Sequence, residues 1–102
     1  MPSVFLIFVI GKAVPHVRFT DNIQRHVKCP AAEAQGETVR EVLTAYFAEI
    51  PFAKNYVLDD QGALRKHMVI FVNSQQIADR VKLSDSVPSD GTVEIIQALS
   101  GG

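Results

Sequence analysis

The stretch Thr38-Val39-Arg40-Glu41-Val42-Leu43-Thr44-Ala45-Tyr46-Phe47-Ala48-Glu49-Ile50 decides the fold class. Val39, Val42, Leu43, Tyr46, Phe47 and Ile50 recur at the i, i+3, i+4, i+7 spacing of one helix face. Arg40, Glu41, Thr44 and Glu49 fall largely on the other face. Thr38 and Glu41 have the spacing of a capping box, which satisfies two free backbone donors at a helix start. Pro51 stops the run.

Working outward, candidate strands lie on both sides. Residues 4–10 (Val-Phe-Leu-Ile-Phe-Val-Ile) are apolar, β-branched and aromatic, and Gly11 ends them, which predicts a buried first strand. The same run has the look of a signal-peptide core. However, no Lys or Arg precedes it, no clean small-x-small site follows, and it is far too short to span a bilayer. Residues 11–22 read as mixed, with Pro15 breaking regularity and Thr20-Asp21-Asn22 marking a turn. Residues 23–29 alternate loosely and predict a second, partly exposed strand; residues 29–36 predict a loop. After the helix, residues 52–58 predict a short helical turn, and Asp59-Asp60-Gln61-Gly62 a chain turn. Residues 67–72 predict a third strand with Met68, Ile70 and Val72 on one face and His67, Val69 and Phe71 on the other. Asn73-Ser74-Gln75-Gln76 predicts a turn, and Ile77 the start of a short edge segment. Leu83, Asp85 and Val87 fall in irregular structure, Pro88-Ser89-Asp90-Gly91 is a turn, and residues 92–98 form the last strand. The order β-β-α-(short helix)-β-(short β)-β is α+β, one sheet on one main helix, in a single domain over residues 1–102.

Composition narrows the function classes. Ten basic residues against 11 acidic give a net charge of −1. That gives no support for binding nucleic acid or an anionic membrane, which leans on a basic surplus. Hydrophobic residues are 47% and charged ones 21%, a globular mix. A domain this size hides roughly 60–70% of its unfolded surface, enough for one core without staples. The single cysteine, Cys29, excludes an internal disulfide framework and points to a reducing, cytoplasmic setting.

No catalytic constellation is present. His16, His26 and His67 are scattered, with no Ser or Cys partner at a motif spacing. His26 and Cys29 would point to opposite faces of a strand, which suits a surface histidine and a half-buried packing thiol. Gly36 stands alone before the helix, without a phosphate-loop motif. Asp59-Asp60 reads as a solvated turn rather than a metal site. An independent enzyme is therefore not expected, nor a bound cofactor or metal.

The informative feature is Leu99-Ser100-Gly101-Gly102. Gly makes up about 7% of average sequence, so two terminal glycines arise by chance in roughly 0.5% of chains. A frayed tail is the bland explanation. Yet the pair follows directly on a strand that must sit inside the sheet, and no residue is charged from Gln97 onward. A flexible tail over residues 98–102, without a Cβ on its last two residues, can thread a narrow channel and deliver the Gly102 carboxylate. A carboxylate is a poor electrophile until ATP converts it to an acyl-adenylate, which a sulfur or nitrogen nucleophile then attacks. A partner enzyme would supply the ATP site.

These residues also carry a resemblance. The apolar first run, Gly-Glu-Thr-Val-Arg-Glu-Val-Leu (36–43), Asp-Asp-Gln-Gly-Ala-Leu-Arg (59–65), Ile-Phe-Val-Asn (70–73), Asp-Gly-Thr-Val-Glu-Ile-Ile (90–96) and the final Gly-Gly together resemble the ubiquitin-like β-grasp sulfur carriers. These include the small subunit of molybdopterin synthase, the thiamine-pathway carrier and the carrier that feeds cysteine synthesis; the last looks most similar. The resemblance implies a mixed four- to five-stranded sheet on one main helix. It implies a protein co-substrate whose Gly102 is adenylated by an E1-like enzyme, using that enzyme's ATP, and becomes a thiocarboxylate for an acceptor enzyme. Two departures stand out. Many relatives end Pro-Ala-Val-Ala-Gly-Gly where this chain reads Gln97-Ala98-Leu99-Ser100-Gly101-Gly102, and Arg80-Val81-Lys82-Leu83 replaces a glycine-rich loop.

One sheet face is expected to carry Val69, Phe71, Glu94 and Ile96, which is apolar for a face without helix cover. An overlying loop, 11–22 or 76–88, would explain it. So would a contact patch for the activating enzyme, the acceptor or a second copy of the chain. The resemblance favours the patch, with Val69, Phe71 and Ile96 joining Leu99, Ser100 and Gly101 as partner-binding residues.

Overall fold

The computed structural model of the chain describes residues 13–98. Its sheet is built around β5 (Thr92–Gln97), whose Val93 and Ile95 turn inward and are fully buried. β1 (His16–Phe19) runs parallel to it, placing Val17 beside Val93 and Phe19 beside Ile95. β3 (Met68–Val72) runs antiparallel on the other side, placing Ile70 beside Ile95. Two-residue strands finish the edges, β2 (Ala32–Glu33) next to β1 and β4 (Gln75–Gln76) next to β3. The order is β2-β1-β5-β3-β4. Edges this short leave few unpaired backbone groups for another chain to join.

The inner face of the sheet packs on α2 (Val39–Glu49), which follows a short α1 (Asp21–Gln24). Val39, Val42, Leu43, Tyr46 and Phe47 are its buried positions, matching the stripe read from the sequence. An isolated helix of this length is marginal in water. Burial of these side chains, each worth about 1.5–3 kcal/mol when complete, therefore holds it. Glu41 N–H donates to Thr38 Oγ1 at 3.2 Å, as the capping box requires. The reciprocal bond is shifted by one residue, because Glu41 Oε1 accepts from Glu37 N–H at 2.8 Å. Gly36 allows this entry: a Cβ there would lie 2.6 Å from Val42 N. Pro51 opens a 3-10 turn, Pro51–Ala53, which leads into α3 (Lys54–Val57).

Three sequence expectations are corrected. Residues 23–29 do not form a strand. Ile23 N–H and Gln24 N–H both donate to Thr20 C=O, which winds this segment into α1 with Ile23 fully buried. The Gln24 side chain then folds back on Cys29, donating to its C=O at 2.8 Å and accepting from its N–H at 3.3 Å. The first strand of the described sheet is His16–Phe19, inside the segment read as mixed, while the strand expected over 4–10 lies outside the described residues. Finally, Asn73-Ser74 alone is the hairpin turn, with φ of 49° and 71°, so Gln75–Gln76 is strand rather than turn.

The loop over 77–87 belongs to the core side. Val39 N–H donates to Asp85 C=O and Arg40 N–H to Leu83 C=O, both at 2.9 Å, so the loop closes over the start of α2. Ile77, Leu83 and Val87 are buried there. Arg40 locks it further, donating to the carbonyls of Gly62, Val81 and Lys82. This loop is therefore not the cover suggested for the outer sheet face.

Candidate functional site

Two features meet at β5: the outer face of the sheet and the root of the C-terminal segment. Alternation turns Thr92, Glu94 and Ile96 away from the core. Register places Val69 of β3 opposite Ile96, and Phe71 opposite Glu94 on one side and Gln76 on the other. Val69, Phe71 and Ile96 are half-buried. Arg18 of β1 borders them, with its guanidinium 3.8 Å from the Glu94 carboxylate. At this exposure such a pair adds little stability, but it fixes a charged rim beside an apolar centre.

The root of the tail is held from several directions. Ala98 N–H donates to His67 C=O at 2.8 Å, so the ladder with β3 runs one residue past the strand. Ala98, expected within the flexible tail, is therefore tied to the sheet. Gln97 C=O accepts from Asn22 Nδ2 of α1, and Gln97 Oε1 accepts from the Tyr56 hydroxyl of α3, each at 3.3 Å. His26 stacks on Tyr56 with ring centroids 6.1 Å apart. Leu99, Ser100, Gly101 and Gly102 lie outside the described residues.

The other groups singled out in the sequence are engaged structurally. Cys29 is fully buried, not half-buried; its Sγ donates to Val27 C=O at 3.4 Å. Burial pushes its thiol up to about 11, so it is a poor nucleophile at neutral pH. Tyr46, whose hydroxyl donates to Pro30 C=O at 2.6 Å, is raised to about 12 by burial and then by the neighbouring Cys29. His16 sits 3.8 Å from Glu33 at the β1–β2 edge. Asp59 accepts from Gln61 N–H and Ala63 N–H and thereby caps its own turn. In place of the glycine-rich loop, Asp79 accepts from the N–H groups of Val81, Lys82 and Ser84 and from the Ser84 hydroxyl. These bonds hold its carboxyl well below the usual range and let Leu83 adopt a φ of 56° while fully buried. Among the described residues no group of three or more His, Cys, Asp or Glu is placed to hold a metal. No helix among them is long and apolar enough to cross a membrane.

Sequence reasoning singled out Val69, Phe71 and Ile96, and the fold brings them together. It missed Asn22 and Tyr56. They lie 75 and 41 residues from Gln97, and no local pattern links such distant polar side chains.

Neither a family model nor a curated relative matches this sequence. Solved structures do match. SAMP1 from Haloferax volcanii superposes with a TM-score of 0.71 at 18% identity, covering 86% of this chain and 98% of that one. A chain of the Amycolatopsis orientalis BexX/CysO complex gives 0.71 at 21% identity, covering 86% and 99%. Urm1 from Trypanosoma brucei gives 0.63 at 18% identity, covering 89% and 97%. The five-stranded mixed sheet closed over one main helix is thus the ubiquitin-like β-grasp fold that these structures share.

Proposed function

We propose that the chain is a sulfur carrier, a protein co-substrate that works with partner enzymes and is not itself a catalyst. Its Gly102 carboxylate attacks the α-phosphorus of ATP on an E1-like enzyme, releasing pyrophosphate and leaving an acyl-adenylate. Sulfide then attacks the acyl carbon, AMP departs, and a thiocarboxylate remains; where a persulfide attacks instead, the product is an acyl disulfide, and a thiol on the partner enzyme attacks its outer sulfur, taking that sulfur into a disulfide and releasing the thiocarboxylate. An acceptor enzyme in the biosynthesis of cysteine, molybdopterin, thiamine or another sulfur metabolite takes the sulfur.

The observation that carries this reading is the course of β5. A central strand, paired on both sides, leads through the tied Ala98 directly into Leu99-Ser100-Gly101-Gly102. The similarity to a chain from the BexX/CysO complex supports work with a protein partner, and the reading includes the cytoplasmic setting expected from the sequence. Val69, Phe71 and Ile96 are the docking patch, with Leu99, Ser100 and Gly101 entering the partner's channel. A weak homodimer would use the same apolar face.

The test is ATP–pyrophosphate exchange by the E1-like enzymes of the source organism. Exchange that depends on this chain and vanishes when Gly102 is deleted supports the reading; exchange indifferent to Gly102 contradicts it. A modifier that forms isopeptide bonds through Gly102 is the second reading. It is favoured by the similarity to the small archaeal modifier protein 1 of Methanosarcina acetivorans. Lysine conjugates resistant to thiol reductant distinguish it. A β-grasp binding module that does no chemistry predicts that deleting Gly101-Gly102 changes nothing.

A further inference from the structure

A thin tail needs a fixed base if its end is to find a channel. The last described backbone bond on this strand is Ala98 N–H to His67 C=O. From there to Gly102 the four residues Leu99 to Gly102 reach about 13–14 Å at full extension. With so short a reach, the position and direction of Gln97 bound the region in which the carboxylate can arrive. Gln97 is gripped from two sides that are far apart in sequence. Asn22 of α1 holds its main-chain carbonyl, and Tyr56 of α3, backed by the His26 ring, holds its side chain. Each bond is long at 3.3 Å, so neither contributes much to global stability. Together they span the gap between two short helices and the end of the sheet, where β5 keeps β3 on one side but loses β1 on the other. β1 ends at Phe19, opposite Ile95, so Ile96 and Gln97 have no β1 neighbour. On that side Asn22 takes the place of a paired strand.

We propose that Asn22, Tyr56 and Gln97 form a clasp that fixes the exit direction of the tail and so positions the Gly102 carboxylate for adenylation. The proposal rests on the carrier reading. These are positioning residues, since they act through the tail rather than on the reacting atoms. Their signature differs from that of the docking face. Docking through Val69, Phe71 and Ile96 sets how well the carrier binds, and hence KM. The clasp sets how often the bound carboxylate occupies the reactive geometry, and hence kcat. Releasing one residue at the base restores roughly the backbone freedom of one residue, which corresponds to about a 5- to 30-fold loss in kcat.

The experiment compares wild type with Gln97→Ala, Tyr56→Phe and Asn22→Ala in ATP–pyrophosphate exchange with the E1-like enzyme of the source organism. Heteronuclear 15N NOEs at Gln97 and Ala98, and thermal melts, are recorded without the enzyme. Expected are a 5- to 30-fold lower kcat with KM within two-fold, reduced NOEs at both residues, and melting temperatures within a few degrees of wild type. Gln97→Glu keeps an acceptor for the Tyr56 hydroxyl and is expected to restore kcat and the NOEs. Unchanged kcat in the three variants, or a change in KM alone, overturns the positioning role. Unchanged NOEs overturn the clasp itself. A wild type inert with every E1-like enzyme of its host overturns the carrier reading; a wild type that is active and matched by its variants overturns only this inference.

Discussion

Phe71→Asp separates docking from folding. Phe71 is half-buried on the outer face, so the change forfeits about half of the 1.5–3 kcal/mol that full burial of such a side chain contributes. Register adds a second cost. Phe71 lies opposite Glu94, and two carboxylates directly opposite on neighbouring strands repel by roughly 0.2–1 kcal/mol. The sum, about 1–2.5 kcal/mol, is well inside the 5–15 kcal/mol of a typical domain. The variant should therefore stay folded, with a melting temperature lowered by roughly 5–20 °C. Phe71→Lys controls for the charge: it removes the same ring but faces Glu94 with an attractive partner, and should melt higher than the Asp variant. Partner binding should fall in both. Losing a central aromatic anchor costs on the order of 2 kcal/mol, about 30-fold in affinity. The assay is calorimetric titration of each folded variant against the activating enzyme. Both variants binding like wild type would refute the docking role of this face. An unfolded Phe71→Lys would show instead that the ring is part of the core.

Other expectations follow from groups away from that face. Native Cys29 should resist iodoacetamide at pH 8 and react fully in denaturant, because burial raises its thiol to about 11; rapid labelling of the native protein by mass spectrometry would contradict this. Asp79→Asn should lower stability at pH 7, since one carboxylate oxygen accepts from Val81 and Lys82 N–H and the other from Ser84 N–H and its hydroxyl, and the amide keeps only one of these two acceptors. The folded carboxyl is depressed, so its contribution is complete above the ordinary aspartate value near 4 and fades as pH falls toward the depressed one. Melts of wild type and variant should therefore converge in acid; a gap that widens on acidification would refute the assignment. Thr38→Ala should cost about 1 kcal/mol in chemical denaturation, as the loss of the cap at Glu41 N–H; no measurable change would show that the Glu37–Glu41 bond suffices.

Legibility in the sequence followed the length of the pattern. Helix α2 repeats its apolar spacing over three turns and was readable to within a residue at each end, and β3 and β5 alternate long enough to declare their faces. β1 is hard to read because four residues give only two inward positions, Val17 and Phe19. Residues 23–29 misled for the opposite reason. A loose alternation of Ile23, Arg25 and Val27 imitates a strand, while local bonds to Thr20 C=O make a helical turn. At the site, Val69, Phe71 and Ile96 were legible because facing residues on a sheet follow from alternation. The grip on Gln97 was not, because α1 and α3 are brought to the end of β5 only by the tertiary fold.

The most direct test of the carrier reading is the intact mass of the protein purified from its native host, alongside a form lacking Gly102. A species in which sulfur replaces one oxygen of the terminal carboxylate, present in the full chain and absent from the shortened one, is the predicted result. A plain carboxylate alone, persisting after incubation with ATP, sulfide and the host's E1-like enzyme, would contradict it.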